Sequence, residues 1–154
     1  MKSVYSLFIL TFLIKAVLSS CPDGWLTHGQ ECYHFSHDAE PYLLARSACQ
    51  LLKGSLVVIE TAEENAFITS QIQNLQSGSY WMDLNDLQEE GSWLWQATGT
   101  APEYTNWMPG EPNNTGNDEN CALIYKGGKW NDGHCTTVSR YICEHTDESA
   151  QIVG

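Results

Sequence analysis

Residues 107–135 read WMPGEPNNTGNDENCALIYKGGKWNDGHC, and this stretch decides the interpretation of the chain. It holds three short motifs, Glu-Pro-Asn at 111–113, Glu-Asn-Cys at 119–121 and Trp-Asn-Asp at 130–132. Calcium in proteins takes about six to eight oxygen ligands from carboxylates, amide carbonyls, backbone carbonyls and water. The stretch offers five such side chains: Glu111, Asn113, Glu119, Asn131 and Asp132. It therefore predicts a calcium site with one or two coordination positions left for the oxygens of a ligand.

A polar loop is the alternative interpretation of the same residues. Any single Asn, Asp or Glu in a Gly-rich segment is more often an ordinary loop residue than a metal ligand. The five candidate side chains, three carboxylates and two amides, fall in three separate motifs between Trp107 and Cys135, which is harder to explain in that way. The combination favours a built metal site.

The two motifs at 111–113 and 130–132, bracketed by cysteines, resemble the C-type lectin carbohydrate-recognition domain. The resemblance covers residue 21 to about residue 144. It implies an α+β domain with the C-type lectin-like fold: two helices, antiparallel sheets and a long calcium-binding loop. It also implies that the five side chains bind calcium directly and that the bond before Pro112 is cis. In this family Glu-Pro-Asn goes with mannose-type sugars (mannose, N-acetylglucosamine, glucose or fucose), whereas Gln-Pro-Asp would indicate galactose.

The six cysteines all follow residue 20. An even count in a secreted chain predicts three disulfides, but the count alone leaves the pairing open. Zinc is the competing use of cysteine, and the absence of any Cys-x-x-Cys pair argues against it. The resemblance to the long form of the lectin domain implies the pairs Cys21–Cys32, Cys49–Cys143 and Cys121–Cys135.

The first twenty residues are typical of a signal peptide. Met1-Lys2 gives a basic start, residues 4–17 are largely apolar, and Ser19-Ser20 precede Cys21. A membrane anchor is disfavoured because the apolar run is short and Lys15 interrupts it. We expect a leader at 1–20, a lectin domain at 21–146 and a short acidic tail at 147–154. The protein is then secreted and extracellular, with no membrane insertion.

The chain is strongly acidic. Removing a leader that contains two lysines and no acidic residue takes the net charge from −12 to −14. Such a charge argues against nucleic acid and anionic membranes as partners. It suits a protein that holds cations, although solubility alone would also explain it.

Hydrophobic spacing gives the elements around the loop. We predict a hairpin turning at residues 28–30, a first helix from Pro41 to Gly54, and a second helix with Thr61 as N-cap that ends at Gly78. The first helix is expected to bury Leu44, Ala45, Ala48, Leu51 and Leu52, and the second Ile68, Ile72 and Leu75. Strands are predicted at 56–59, 80–84, 92–95, 121–125 and 140–143.

Further binding residues are suggested by the same resemblance. A second calcium site would use Asp86, Glu90, Asn114 and Asn120. Two of these are asparagines where relatives carry acids, which should weaken calcium binding there. Tyr125, Lys126 and His134 are candidate accessory contacts to a bound sugar. Asp83 replaces a glycine that is common in the family, and the sequence gives no reason for the change.

Asn113-Asn114-Thr115 is also an N-glycosylation sequon, the only one in the chain. A glycan on Asn113 would remove its amide from the metal site. The two uses of Asn113 therefore exclude each other on one molecule, and the unmodified ligand is the favoured interpretation.

The predicted function is a secreted, calcium-dependent lectin that recognises microbial glycans or agglutinates particles in innate immunity. The single-domain form resembles perlucin-like secreted invertebrate lectins. Agglutination needs several sites per particle and hence a non-covalent homo-oligomer, because six paired cysteines leave no free thiol. The alternative is a calcium- or mineral-associated matrix protein with a perlucin-like role in biomineralisation. We do not expect an enzyme, because no histidine is visibly paired with a nucleophile.

Overall fold

The computed structural model describes residues 21–75 and 78–146. The predicted leader at 1–20 and the predicted tail at 147–154 lie outside the described residues. The described residues form two α-helices, α1 (Tyr42–Leu51) and α2 (Ala62–Asn74). The strands are β1 (Leu26–His28), β2 (Glu31–Phe35), β3 (Ser55–Leu56), β4 (Ser79–Asn85), β5 (Leu94–Trp95), β6 (Cys121–Tyr125), β7 (Trp130–Gly133) and β8 (Arg140–Thr146). This is the α+β class expected from the sequence.

The strands form one sheet in the order β1-β2-β8-β4-β6-β7, with β3 on β8 and β5 on β4. All neighbours are antiparallel except β4 and β8, which are parallel. The hairpin predicted at residues 28–30 is confirmed, since His28 pairs with Glu31 across the β1–β2 turn. β7 was not predicted, because its sequence Trp-Asn-Asp-Gly lacks the apolar alternation of a strand.

Helix α1 buries different residues from those predicted. It turns Tyr42, Ala45 and Cys49 into the core, whereas Leu44 and Leu51 are 56% and 86% exposed. The leucines are spaced at a helical period, but they lie on a different face of α1 from Tyr42 and Cys49, and the face with Tyr42 and Cys49 is the buried one. The expected stripe through Leu44, Leu51 and Leu52 was therefore wrong, and only its alanine part lies on the inner side.

The end of α1 is set by two neighbouring residues. The helix ends at Leu51, before the predicted end at Gly54, and Lys53 takes the left-handed conformation with a φ of 62°. Gly54 is needed for a different reason, because a Cβ there would lie 2.3 Å from the backbone oxygen of Glu144. Close approach of α1 to β8 thus requires glycine at this position.

Helix α2 begins as predicted. Thr61 is the N-cap, and its side chain accepts a hydrogen bond from the Glu64 N–H at 3.1 Å. The Glu64 carboxylate reaches back one residue further than a capping box requires, to the Glu60 N–H at 2.9 Å. Ile68 and Ile72 are fully buried, while the helix ends at Asn74, before the predicted stop at Gly78.

Two hydrophobic clusters occupy the two sides of the sheet. The larger contains Ile68 and Ile72 of α2 with the tryptophans Trp95 and Trp130. The smaller contains Tyr42, Ala45 and Cys49 of α1 with Trp81. No helix within the described residues is long and apolar enough to cross a membrane.

Three disulfides hold these layers, with the pairing that the resemblance implied. Cys21–Cys32 closes the first hairpin, Cys49–Cys143 joins α1 to β8, and Cys121–Cys135 ties the start of β6 to the segment after β7. The last bridge lies beside the ends of the long loop 96–120, which links β5 to β6.

Candidate functional site

The first arm of the long loop is fixed alongside β7. The Met108 N–H donates to the Trp130 carbonyl at 2.8 Å, and the Trp130 N–H donates to the Asn106 carbonyl at 3.0 Å. Trp130 is fully buried, and its indole N–H donates to the Asn65 side chain of α2 at 2.8 Å. The loop is therefore anchored through Trp130 to the core below it.

The turn that follows contains the Glu-Pro-Asn motif. The Glu111 N–H donates to the Met108 carbonyl at 3.0 Å, and Gly110 has a φ of 91° that favours glycine. The Glu111–Pro112 peptide bond is cis. One carboxylate oxygen of Glu111, Oε2, is buried and has no hydrogen-bond partner among the described residues.

Asp132 on β7 connects the strand to this turn. Its side chain is fully buried, and Oδ2 accepts hydrogen bonds from the Asn113 N–H at 2.9 Å and the Asn114 N–H at 2.7 Å. Its other oxygen, Oδ1, is buried and unpartnered within the described part of the chain. One carboxylate therefore organises the backbone of the loop and still has a free oxygen.

The second arm brings in Glu119. Its Oε2 accepts from the Thr115 N–H at 2.9 Å, and its own N–H donates to the Asn114 side chain at 3.0 Å. The Thr115 hydroxyl donates to the Asn113 side-chain oxygen. Asn131 precedes Asp132 on β7, and its amide nitrogen donates to the Asp132 carbonyl. All five predicted ligands thus lie in this loop or on the strand beside it.

The carboxylates of this site repel one another. Burial raises the pKa of Glu111, the negative charges of Asp132 and Glu119 raise it further, and a hydrogen bond with Asn113 partly offsets the effect. Burial and neighbouring like charges both disfavour the ionised form of a carboxyl. The arrangement can accept positive charge.

The oxygen atoms of the predicted ligands show whether this site suits a calcium ion. Two buried carboxylate oxygens, on Glu111 and Asp132, lack partners within residues 21–75 and 78–146, and they meet the preference of calcium for oxygen ligands. No group of three or more His, Cys, Asp or Glu is arranged to hold a metal in the two described ranges. The five predicted ligands include two amides, Asn113 and Asn131, and Asp132 and Glu119 use part of their carboxylate oxygens to accept from backbone N–H groups. We therefore regard the residues as fitting calcium, with amides completing the set.

The predicted second site is only partly assembled. Asp86 is buried, its N–H donates to the Asn120 carbonyl at 3.2 Å, and its Oδ2 accepts from the Gly91 N–H at 2.7 Å. Its Oδ1 is buried without a partner among the described residues. Glu90 is exposed, and the Asn114 side chain is engaged by Glu119. Asp86 and Asn120 are the pair that the fold brings into contact.

The three accessory candidates lie in different places. Tyr125 and Lys126 are at the far end of β6 from Cys121, and the Lys126 N–H donates to the Gly78 carbonyl at 3.2 Å. His134 follows β7 and lies 3.2 Å from the Asp118 carboxylate of the loop, with both side chains exposed. Of the three, His134 is the one beside the loop.

Two supporting residues were not recognised from the sequence. Thr115 contacts Asn113 and Glu119 but was noted only as part of a sequon. Asn65 holds Trp130 and also donates to the Gly128 carbonyl at 3.0 Å. Its spacing from Ile68 and Ile72, on the buried side of α2, was the available signal.

A separate acidic cavity of about 630 Å³ lies between the first hairpin and the start of α2. Tyr33 donates to Glu64 there at 2.8 Å, and burial raises the pKa of Glu144 well above its usual range. None of the five predicted calcium ligands lines this cavity. We do not assign the functional site to this cavity on its size alone, because the Glu-Pro-Asn and Trp-Asn-Asp motifs lie in the long loop and on β7.

Comparison with known protein families agrees with this geometry. The model of the "Lectin C-type domain" matches residues 38–145. The Low affinity immunoglobulin epsilon Fc receptor of Mus musculus is 38% identical over 145 residues, covering 93% of this chain but 43% of the receptor. The chain therefore spans less than half the length of that relative.

Two further comparisons each cover more than four fifths of the other protein. A Perlucin-like protein from Mytilus galloprovincialis is 37% identical over 129 residues, covering 80% of this chain and 82% of that protein. The carbohydrate-recognition domain of cow CD23, solved in the presence of GlcNAc2Man3 oligosaccharide, aligns with a TM-score of 0.76 and 36% identity. That alignment covers 82% of this chain and 96% of the cow domain.

Proposed function

The chain belongs to the C-type lectin family, and from that membership we propose that it is a secreted, calcium-dependent lectin for mannose-type sugars. The C-type lectin domain is a carbohydrate-binding fold and not an enzymatic one. Glycans are therefore its partners in the broad sense. The choice of sugar, the metal and the extracellular location are our inference.

The observation that carries the proposal is a pair of buried carboxylate oxygens, on Glu111 and Asp132, that have no hydrogen-bond partner in the part of the chain that the structure describes. They lie at the Glu-Pro-Asn and Trp-Asn-Asp motifs. Leaving a buried carboxylate oxygen unsatisfied is costly, so such atoms are expected to have a partner in the working protein. Glu111, Asn113, Glu119, Asn131 and Asp132 would hold calcium. The ion would supply open coordination positions for two sugar hydroxyls.

The protein's own side chains would select the sugar. Carboxylates only accept hydrogen bonds, whereas amide nitrogens donate them. Glu111 with Asn113, and Glu119 with Asn131, therefore supply one acceptor and one donor for each of two neighbouring hydroxyls. In the family this arrangement favours mannose, N-acetylglucosamine and fucose. A single site that buries few ligand atoms should bind weakly, with a Kd of roughly 1 mM.

Retention on mannose-agarose tests the proposal. The folded, oxidised protein should be retained in calcium and released by EDTA or by free mannose. Glu111→Gln should lose retention and also lose calcium uptake in a direct titration, because an amide lacks the charge that holds the ion. Glu103→Gln is the matched control, since Glu103 is an exposed acid of the same loop. A wild-type protein that takes up no calcium would contradict the proposal.

The weaker second calcium site belongs to the same proposal. It is supported by the Oδ1 of Asp86, which is buried without a partner among the described residues, and by the backbone hydrogen bond that holds Asp86 next to Asn120. We expect a second, weaker step in a calcium titration that disappears in Asp86→Asn. A single-step titration that Asp86→Asn leaves unchanged would remove this site from the account.

A mineral-associated matrix role is the second candidate, and the large negative charge of the chain favours it. An acidic surface binds calcium mineral without needing the Glu-Pro-Asn geometry. Binding to calcium carbonate or phosphate particles that is unaffected by free mannose and by Glu111→Gln would support this role. Microbial recognition and agglutination would instead require mannose-sensitive clumping by a self-associated form.

A further inference from the structure

Residues 113–115 form an N-glycosylation sequon. The sugar-binding mechanism does not use glycosylation, but it does use Asn113, the acceptor residue of this sequon. Asn113 and Thr115 are both exposed at the tip of the loop. Thr115 bonds to the side-chain oxygen of Asn113, while Asp132 holds the Asn113 backbone N–H. The side-chain nitrogen of Asn113, the atom that a glycan would modify, is the group that donates to the Glu111 carboxylate, and it belongs to an exposed residue.

We infer that Asn113 is an acceptor of an N-linked glycan in part of the secreted protein, and that the modified molecules do not bind mannose-type sugars. The inference rests on the proposed function, because it requires passage through the secretory pathway. On any one molecule, Asn113 is then either unmodified or glycosylated. It either completes the sugar site or carries a sugar itself.

The transfer is chemically balanced with a polyprenyl-diphosphate-linked oligosaccharide as donor. A bond forms between Nδ2 of Asn113 and C1 of the first sugar unit. The bond from C1 to the diphosphate oxygen breaks, and the diphosphate leaves with the electron pair. One amide proton of Asn113 goes to a base of the transferring enzyme, so the side chain remains a neutral amide.

The loss of binding follows from the atom that is modified. Nδ2 of Asn113 is the donor expected to reach a ligand hydroxyl, and glycosylation leaves it one N–H instead of two. The attached sugar unit also begins at the atom that faces the ligand. Asn114 cannot substitute, because its side-chain oxygen accepts from the Glu119 N–H and its backbone is left-handed, with a φ of 45°.

The test compares the same sequences from two hosts, behind a host-matched secretion leader. Wild type from glycosylating eukaryotic cells should show two intact masses, and only the lighter should be retained on mannose-agarose in calcium. Amidase removal of the glycan leaves aspartate at position 113, so peptide mass identifies the site. Wild type secreted into the bacterial periplasm should show the lighter mass only.

Thr115→Val supplies the matched variant, because it destroys the sequon and leaves Asn113 in place. Thr115→Val should have the same single mass from both hosts, and the same fraction of it should be retained on mannose-agarose, whether or not the substitution changes the affinity. A single unglycosylated mass for wild type from eukaryotic cells, or equal retention of the heavier species, overturns the inference. Failure of the unglycosylated bacterial wild type to bind mannose-agarose would instead overturn the proposed function.

Discussion

Asp83 shows how one residue can depart from its family without disturbing the site. It is 1% exposed on β4, and its Oδ2 accepts from the Ala97 N–H at 2.6 Å. Burial raises its pKa to about 7, although the Ala97 hydrogen bond and the positive charge of Arg46 act in the opposite direction. The side chain thus links β4 to the start of the long loop and costs stability when it is ionised.

The pH dependence of Asp83 has a definite sign. Its folded-state pKa lies above the unfolded value of about 3.9, so the protonated form is favoured by folding. The stability that this carboxyl contributes is fully present below about pH 4 and is lost as the pH rises to about 7. Asp83→Asn cannot ionise but can still accept from Ala97. It should match wild type at pH 4 and exceed it by roughly 1–4 kcal/mol at pH 8.

Denaturant unfolding at pH 4, 6 and 8 in EDTA measures this difference. Glu64 and Glu144 also have raised pKa values, so they add to the pH dependence of stability in both proteins. The informative quantity is therefore the free energy of unfolding of Asp83→Asn minus that of wild type at each pH. Asp23→Asn, at an exposed position, is the control and should give a flat difference. A flat difference for Asp83→Asn as well would refute the assignment.

At the scale of elements, the sequence predicted the pieces with strong local signals. The Thr61 cap, the turn near Gly29 and the Cys121–Tyr125 strand depend on neighbouring residues, and each is present. The burial of α1 could not be predicted in the same way. It depends on which of two apolar faces meets the sheet, and that is decided by Tyr42 and Trp81, which pack edge to face 5.7 Å apart.

The same distinction applies to the candidate site, whose ligands could be predicted from the sequence and whose supporting contacts could not. Its ligands were identified from motifs, because calcium needs particular oxygen-bearing residues. The supporting contacts of Asn65 and Asp83 could not be identified, because each joins segments distant in the chain. Thr115 bonds to residues only two and four positions away, but no motif indicates those contacts. The position of Tyr125 depended on the direction in which β6 runs from the site, which sequence proximity does not reveal.

The junction of α1 with β8 gives an element-level prediction. Gly54→Ala should lower the free energy of unfolding by about 1–3 kcal/mol, because its Cβ would meet the rigid backbone oxygen of Glu144. Gly127→Ala is the control, since nothing lies within 4 Å of a Cβ there. Equal unfolding midpoints for the two variants in urea would show that α1 can shift without cost.

The disulfides should differ in their contribution according to the loops they close. Cys49–Cys143 spans 94 residues and Cys21–Cys32 spans 11. Loop-closure entropy predicts contributions of about 5 and about 3 kcal/mol, respectively. Replacing Cys21 and Cys32 by serine should therefore leave a folded domain, whereas replacing Cys49 and Cys143 by alanine should leave it largely unfolded at 37 °C. Circular dichroism and urea unfolding would reveal a reversed order.

At the scale of the whole molecule, charge and metal act together. An acidic chain that gathers Glu111 and Glu119 of the long loop and Asp132 of β7 at one site carries repulsion that a divalent cation relieves. Calcium that binds the folded state alone stabilises it by an amount set by its concentration relative to Kd, about 2.7 kcal/mol at one hundred times Kd. Sugar binding and thermal stability should then depend on the same ion.

Glu111→Gln separates these two effects. In EDTA the variant should melt at the same temperature as wild type or slightly higher, because one of three like charges is gone. In saturating calcium the order should reverse, since wild type gains the binding free energy and the variant does not. Differential scanning fluorimetry across a calcium series measures both limits, with Glu103→Gln as the control that should follow wild type. If Glu111→Gln instead melts lower in EDTA and gains as much from calcium, Glu111 is a structural residue of the loop and not a ligand.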